Sequence, residues 1–181
     1  MFDAPVNAAT TTAAVFGYVM DRLRAYYQES GVEFDLIDAV LATRPTRLLD
    51  LDRRIQACRV FRQLPEADSL AAANKRIANI LKKTDEDIPG TVDVNSLVDD
   101  AEKQLAEQLG DMRRTVIPLM DSGDYTPALK QLAGLRENVD AFFDQVMVMV
   151  DDDTLRSNRL SLLQNLSELF LRVADLSRLQ N

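Results

Sequence analysis

The sequence predicts an all-α fold, a single helical bundle of about six or seven helices. Three observations carry that expectation. Apolar residues recur at spacings of three and four along nearly the whole chain, and no run alternating with period two rivals them. At 181 residues, with 46% hydrophobic and 28% charged side chains, the chain suits one domain with a substantial core. The strongest pattern lies between Thr126 and Leu176. Leu132, Leu135, Val139, Phe142, Val146 and Met149 form one stripe; Leu155, Leu162, Leu166, Leu169, Val173 and Leu176 form another beyond the turn Asp151-Asp152-Asp153. This reads as an antiparallel hairpin of two long helices on which the earlier helices pack.

Taken in order, residues 1–14 read as a linker or disordered lead-in and residues 15–181 as the helical domain. A first helix is expected over about Thr12–Glu29, with Val15, Val19, Leu23 and Tyr26 on one side and Gly31 just past its end. A short helix follows over Asp35–Ala42, and Thr43-Arg44-Pro45-Thr46 breaks the chain. A third spans Asp50–Gln63 and carries Cys58, read as a small buried residue. A fourth spans Pro65–Lys83: Leu70, Ala73, Ile77, Ile80 and Leu81 share one face, and Lys75, Asn79 and Lys82 the opposite one, flanked by Arg76 and Lys83. Thr84–Asn95 is an acidic loop with a Pro89-Gly90 turn, and Asn95 reads as the cap of a fifth helix. That helix is striped by Leu105, Leu109, Met112, Val116 and Leu119 and is kinked or ended by Pro118. Thr126 with Pro127 reads as the next helix start, and Asp152 or Asp153 as the cap of the last.

Composition excludes much chemistry. There is no histidine, which removes histidine triads and the commonest general base. With a lone cysteine there is no internal disulfide and no zinc ligand set, and a cytoplasmic location is expected. The six glycines are scattered and build no phosphate loop. No apolar run reaches membrane-spanning length. The acidic triplet lacks the spacing of a calcium loop, so no metal site is expected. Catalysis by this chain alone is not expected.

Charge is unevenly placed. The net charge is −8, yet residues 44–83 hold ten Lys/Arg against four acids, whereas residues 84–181 hold nine against nineteen. A basic segment on an acidic body steers a polyanion to one face. The face of Lys75, Asn79 and Lys82 reads as free of acids. Its plain reading is a solvated helix surface; its functional reading is phosphate contact by the lysines with Asn79 facing a base edge. Arg53 and Arg54 add guanidiniums suited to phosphates or stacking, and Arg76 is a further base-reading candidate. In Tyr26-Tyr27 one ring is expected in the core and the other is a candidate stacking platform, with packing of the pair favoured. Asn158 interrupts the last stripe, either fixing register or facing a gap. Arg156 and Arg159 are expected to pair with Asp151–Asp153, and Met147 and Met149 to fill the core.

Several blocks carry a family resemblance. Residues 142–152, Phe142-Phe143-Asp144-Gln145-Val146-Met147-Val148-Met149-Val150-Asp151-Asp152, resemble the C-terminal end of the bacterial glycyl-tRNA synthetase beta subunit. So do Leu155 to Leu160, Leu70 to Leu81, Phe34 to Leu41 and Leu169 to Asp175, within a similarity covering roughly residues 15–180. Because the family's beta subunit is much longer, the chain looks like its excised C-terminal region. The resemblance implies an anticodon-binding domain of the arginyl-tRNA synthetase type, with glycine tRNA as its ligand through the anticodon arm. It implies partnership with the alpha subunit, which activates glycine in a ligase that uses ATP and magnesium. No cofactor is then expected in this chain, and no DNA or membrane partner. Among the matching positions, Lys75, Arg76 and Asn79 are the transferable candidates. The competing reading is a helical protein-interaction module whose acidic surface, within residues 84–181, docks another synthetase subunit.

Overall fold

Apolar spacing and caps together set where each helix runs in the computed structural model, which describes residues 8–85 and 87–179. The helices are α1 (Ala8–Glu29), α2 (Phe34–Leu41), α3 (Leu48–Arg62), α4 (Ala67–Lys82), α5 (Asp100–Ser122), α6 (Tyr125–Leu132), α7 (Arg136–Gln145) and α8 (Asp153–Leu171). Single 3₁₀ turns lie at Val94–Ser96, Ala133–Leu135 and Leu176–Arg178, and no strand occurs among the described residues. The all-α bundle expected from periodicity is the fold observed. Helix α1 begins at Ala8, inside the expected lead-in; residues 1–7 of that stretch lie outside the described residues. Leu23 packs on the core, whereas Val15, Val19 and Tyr26 stay exposed.

The core is continuous. Leu36, Ile37 and Val40 of α2, Leu51, Ile55, Cys58 and Phe61 of α3, and Leu70 and Ile77 of α4 meet the apolar faces of α5 to α8. Helix α3 packs on α6, and α5 on α6 and α7. The chain end returns to the start of the fold: Asp175 N–H donates to Ala39 O at 2.9 Å, and Arg178 pairs with Asp38 at 2.7 Å.

The expected hairpin is corrected in three respects. Its first arm is broken at Ala133-Gly134-Leu135, where glycine lowers helix stability and Gln108 Nε2 donates to Gly134 O at 3.1 Å. The arm stops at Gln145, not at Val150. The β-branched run Val146, Val148 and Val150 favours extended backbone. Val146 and Val148 turn inward, while Met147 and Met149 point out at 72% and 54% exposure. The two methionines therefore do not fill the core. Finally, α7 and α8 each pack on α4 and on α5 rather than principally on each other.

Caps differ from expectation in instructive ways. Asp99, not Asn95, precedes α5, and Glu102 three residues later accepts from Asp99 N–H at 2.8 Å, as in a capping box. Pro118 does not end α5; Pro118 and Arg114, whose carbonyl loses its partner, are both exposed, so that carbonyl is open to solvent. The helix closes instead at Gly123, whose φ of 81° allows Asp124 N–H to reach Leu119 O at 2.8 Å and its own N–H to reach Met120 O at 3.1 Å. Asp124 then precedes α6, two residues before the expected Thr126. Asp152 caps α8 by accepting from Leu155 N–H at 3.0 Å, as the sequence suggested.

Candidate nucleic-acid interface

Helix α4 is amphipathic. Leu70, Ala71, Ala73, Asn74 and Ile77 are buried, Asn74 donating to Leu70 O at 2.9 Å, so Lys75, Arg76, Asn79, Lys82 and Lys83 are left facing solvent. None of these five makes a hydrogen bond or ion pair among the described residues. That freedom is regional. Of the ten Lys/Arg in residues 44–83, only Arg54 and Arg62 pair with carboxylates among the described residues. Of the nine in residues 84–181, six do: Arg114, Arg136, Arg156, Arg159, Arg172 and Arg178. The face is not entirely free of acids. Exposed Asp68 shares it, about 10 Å from Lys75 along the helix axis.

Arg76 lies with its guanidinium carbon 4.3 Å from the centroid of the Phe143 ring on α7. Beside it, α4 and the non-helical segment 146–150 enclose an open concavity of about 520 Å³, lined by Arg76, Ile80, Asp144, Gln145 and the residues from Val146 to Met149. The segment is fixed from behind by α8: Arg159 Nη1 donates to Met147 O at 2.8 Å, and Arg156 Nη1 to Val150 O at 2.6 Å. Arg159 does not pair with Asp151–Asp153 as expected. Its partners are buried Glu102 at 2.6 Å and Asp99 at 2.6 Å, while Arg156 pairs with Asp153.

The remaining sequence candidates fall elsewhere. Arg54 belongs to the fold: it pairs with Asp50 at 2.8 Å, donates to Val173 O at 2.9 Å and lies over the Tyr125 ring at 4.6 Å. Those bonds commit most of its donors to the fold, unlike the open side chains of α4. Arg53 is exposed but sits beside the α5–α6 turn with Asp50 and Asp121, apart from the α4 face. Tyr27 is buried and donates to Asp52 at 3.3 Å; burial and that carboxylate push its hydroxyl up to about 12. Tyr27 is therefore packing, and Tyr26, 62% exposed and edge-on to Tyr27, is the free ring. Asn158 is buried and holds the loop before α5, accepting from Asp93 N–H and donating to Asp93 O, both at 2.8 Å.

The sequence reading missed the concavity. Its one sequence signal was the period-two alternation over residues 146–150, hidden within a helical stripe.

An unneutralised basic helix face on a helical bundle suits a polyanion, and comparison specifies the kind of domain. Residues 70–176 match the DALR anticodon binding domain, and the chain belongs to that family. Over 99% of its length it is 50% identical to the glycine–tRNA ligase beta subunit of Pseudoalteromonas translucida (strain TAC 125). It is 54% identical over 93% of its length to that of Marinobacter nauticus, and 52% over 94% to that of Aeromonas hydrophila subsp. hydrophila. The chain spans 26%, 24% and 25% of these three relatives.

Proposed function

We propose that the chain binds the anticodon arm of glycine tRNA for a glycine–tRNA ligase, using the outward face of α4. The observation that supports this most is the set of five unpaired polar and basic side chains on one helix within the matched region. Lys75 and Lys82 hold backbone phosphates, and Asn79 and Arg76 face splayed bases. Arg53 and Tyr26 lie on other surfaces and serve, at most, the flanking parts of a large ligand. Binding is non-covalent: it anchors one end of the tRNA while aminoacylation proceeds elsewhere.

The same reading assigns glycine activation, ATP and magnesium to the remainder of a longer enzyme containing an alpha subunit, working in the cytoplasm. No group of three or more acids, cysteines or histidines converges as a metal site among the described residues. No described helix is long and apolar enough to cross a membrane.

Titration of labelled glycine tRNA at several salt concentrations tests the reading. Affinity is expected to fall linearly on logarithmic axes with rising salt, because phosphate contacts release counterions. Undetectable binding at low salt, or binding indifferent to salt, contradicts it.

A further inference from the structure

We infer that the concavity between α4 and residues 146–150 seats one unpaired nucleobase bearing an exocyclic amino group, with Asp144 as the residue that recognises that amino group. The inference rests on the tRNA-binding reading and adds to it a base site at the edge of the helix face, where Arg76 meets residues 146–150.

Three observations converge. The first is the exposed pair Met147 and Met149, at 72% and 54%, on a backbone whose carbonyls are held by Arg159 and Arg156. Such exposure is not a loose loop turned outward: the neighbouring Val146 and Val148 are buried, and the ribbon is locked. Thioethers on a fixed backbone give a polarisable, adaptable wall against an aromatic face. The second is Arg76. Held over Phe143 at 4.3 Å, its guanidinium adds a planar, positively charged surface to the lining, suited to stacking on a base. At about 520 Å³ the space is in the range of small-ligand sites.

The third observation is Asp144. It lies in the last turn of α7, where the helix dipole disfavours a negative charge, and it has no hydrogen-bond or ion-pair partner. An acid there weakens phosphate binding on the adjacent basic face. Asp144 lines the concavity with its carboxylate exposed. A carboxylate accepts hydrogen bonds only, so it favours a donating amino group, such as that of cytosine or adenine, and is repelled by the carbonyl oxygen that replaces it in uracil or hypoxanthine. The charge arrangement suits RNA rather than an acidic or apolar peptide: the lysines alongside take the phosphates, and the single acid reads the base.

The test uses the 181-residue chain and an RNA stem-loop carrying the glycine anticodon. In matched stem-loops, the exocyclic amino group of each loop base is removed singly, with uracil for cytosine and hypoxanthine for adenine or guanine. The unmodified chain should lose about fivefold or more in affinity at one loop position. Asp144→Asn, whose amide also donates, should abolish that discrimination. Met147→Ala with Met149→Ala should weaken binding about fivefold or more while leaving the salt slope unchanged, because stacking rather than charge is removed. Unaltered discrimination in Asp144→Asn, or full affinity in the methionine variant, overturns the base seat even where Lys75→Glu with Lys82→Glu abolishes binding. If that lysine variant binds normally, the α4 reading itself fails.

Discussion

Replacing Arg159 by methionine probes the joint between the fold and the proposed site. The guanidinium is 3% exposed, and its partner Glu102 is fully buried at 0%. Methionine fills similar space but leaves the Glu102 carboxylate without its counterion. Breaking a buried pair in this way costs about 3–5 kcal/mol. Two backbone amides, Asp99 N–H and Val98 N–H, still donate to Glu102, which places the expected loss near the lower end, about 3 kcal/mol. In a chain of this length that corresponds to a fall in Tm of about 6–12 °C.

The loss should depend on pH. Burial pushes the Glu102 carboxyl up, but the Arg159 hydrogen bond, the two amides and the Arg159 charge outweigh it and hold the group below its ordinary value. A depressed carboxylate stabilises the fold above its unfolded pKa of about 4.3, and this contribution fades as pH falls through the lower folded value. In Arg159→Met burial has fewer opponents, so Glu102 takes up a proton at a higher pH. Thermal melts of both proteins followed by circular dichroism should therefore show a wide gap near pH 7 that narrows towards pH 4. A gap below about 1 kcal/mol, within the range of an exposed pair, would refute the reasoning, as would one that does not change with pH.

Three further outcomes follow from individual contacts. Asn158→Ala removes both bonds to the Asp93 backbone, so stability should fall by about 1–3 kcal/mol and limited proteolysis should cut faster between residues 84 and 98. Gly123→Ala forces a side chain into left-handed backbone at φ 81°, with its Cβ only 2.7 Å from Arg53 Nη1; urea unfolding should show a loss of about 1–2 kcal/mol. The Cys58 thiol is pushed up to about 12 by burial, so a thiol reagent at pH 8 should label it only as fast as the protein unfolds.

Much of the fold was legible because helix faces are a local property. Leu51, Ile55 and Cys58, or Leu70, Ala73 and Ile77, declare their side by spacing alone, and all six are buried. Adjacent Tyr26 and Tyr27 differ by about 100° on the helix, so one inside and one outside was readable. Partners across the chain were not. Arg54 looked like a free cation because its acceptors, Arg172 O and Val173 O, lie more than 110 residues away. Arg159 looked destined for the nearby acids, yet it reaches 57 residues back to Glu102. The 146–150 ribbon escaped for a different reason: Val146 satisfies both a period of 3.6 and a period of two, so the change of period is invisible until Met147 and Met149 are seen exposed. The true α5 start was marked by the spacing of Asp99 and Glu102, a signal passed over in favour of Asn95.

The α4 face is tested most directly by reversing two of its charges, Lys75→Glu together with Lys82→Glu, and titrating glycine tRNA at several salt concentrations. Both side chains are exposed and unpaired, so the circular-dichroism spectrum and Tm should remain close to those of the unmodified chain. Binding should be abolished near physiological salt, and any residual binding at low salt should show a slope shallower by about 1.4 or more, from two lost phosphate contacts. Unchanged affinity and slope in a folded double variant would contradict the proposed interface.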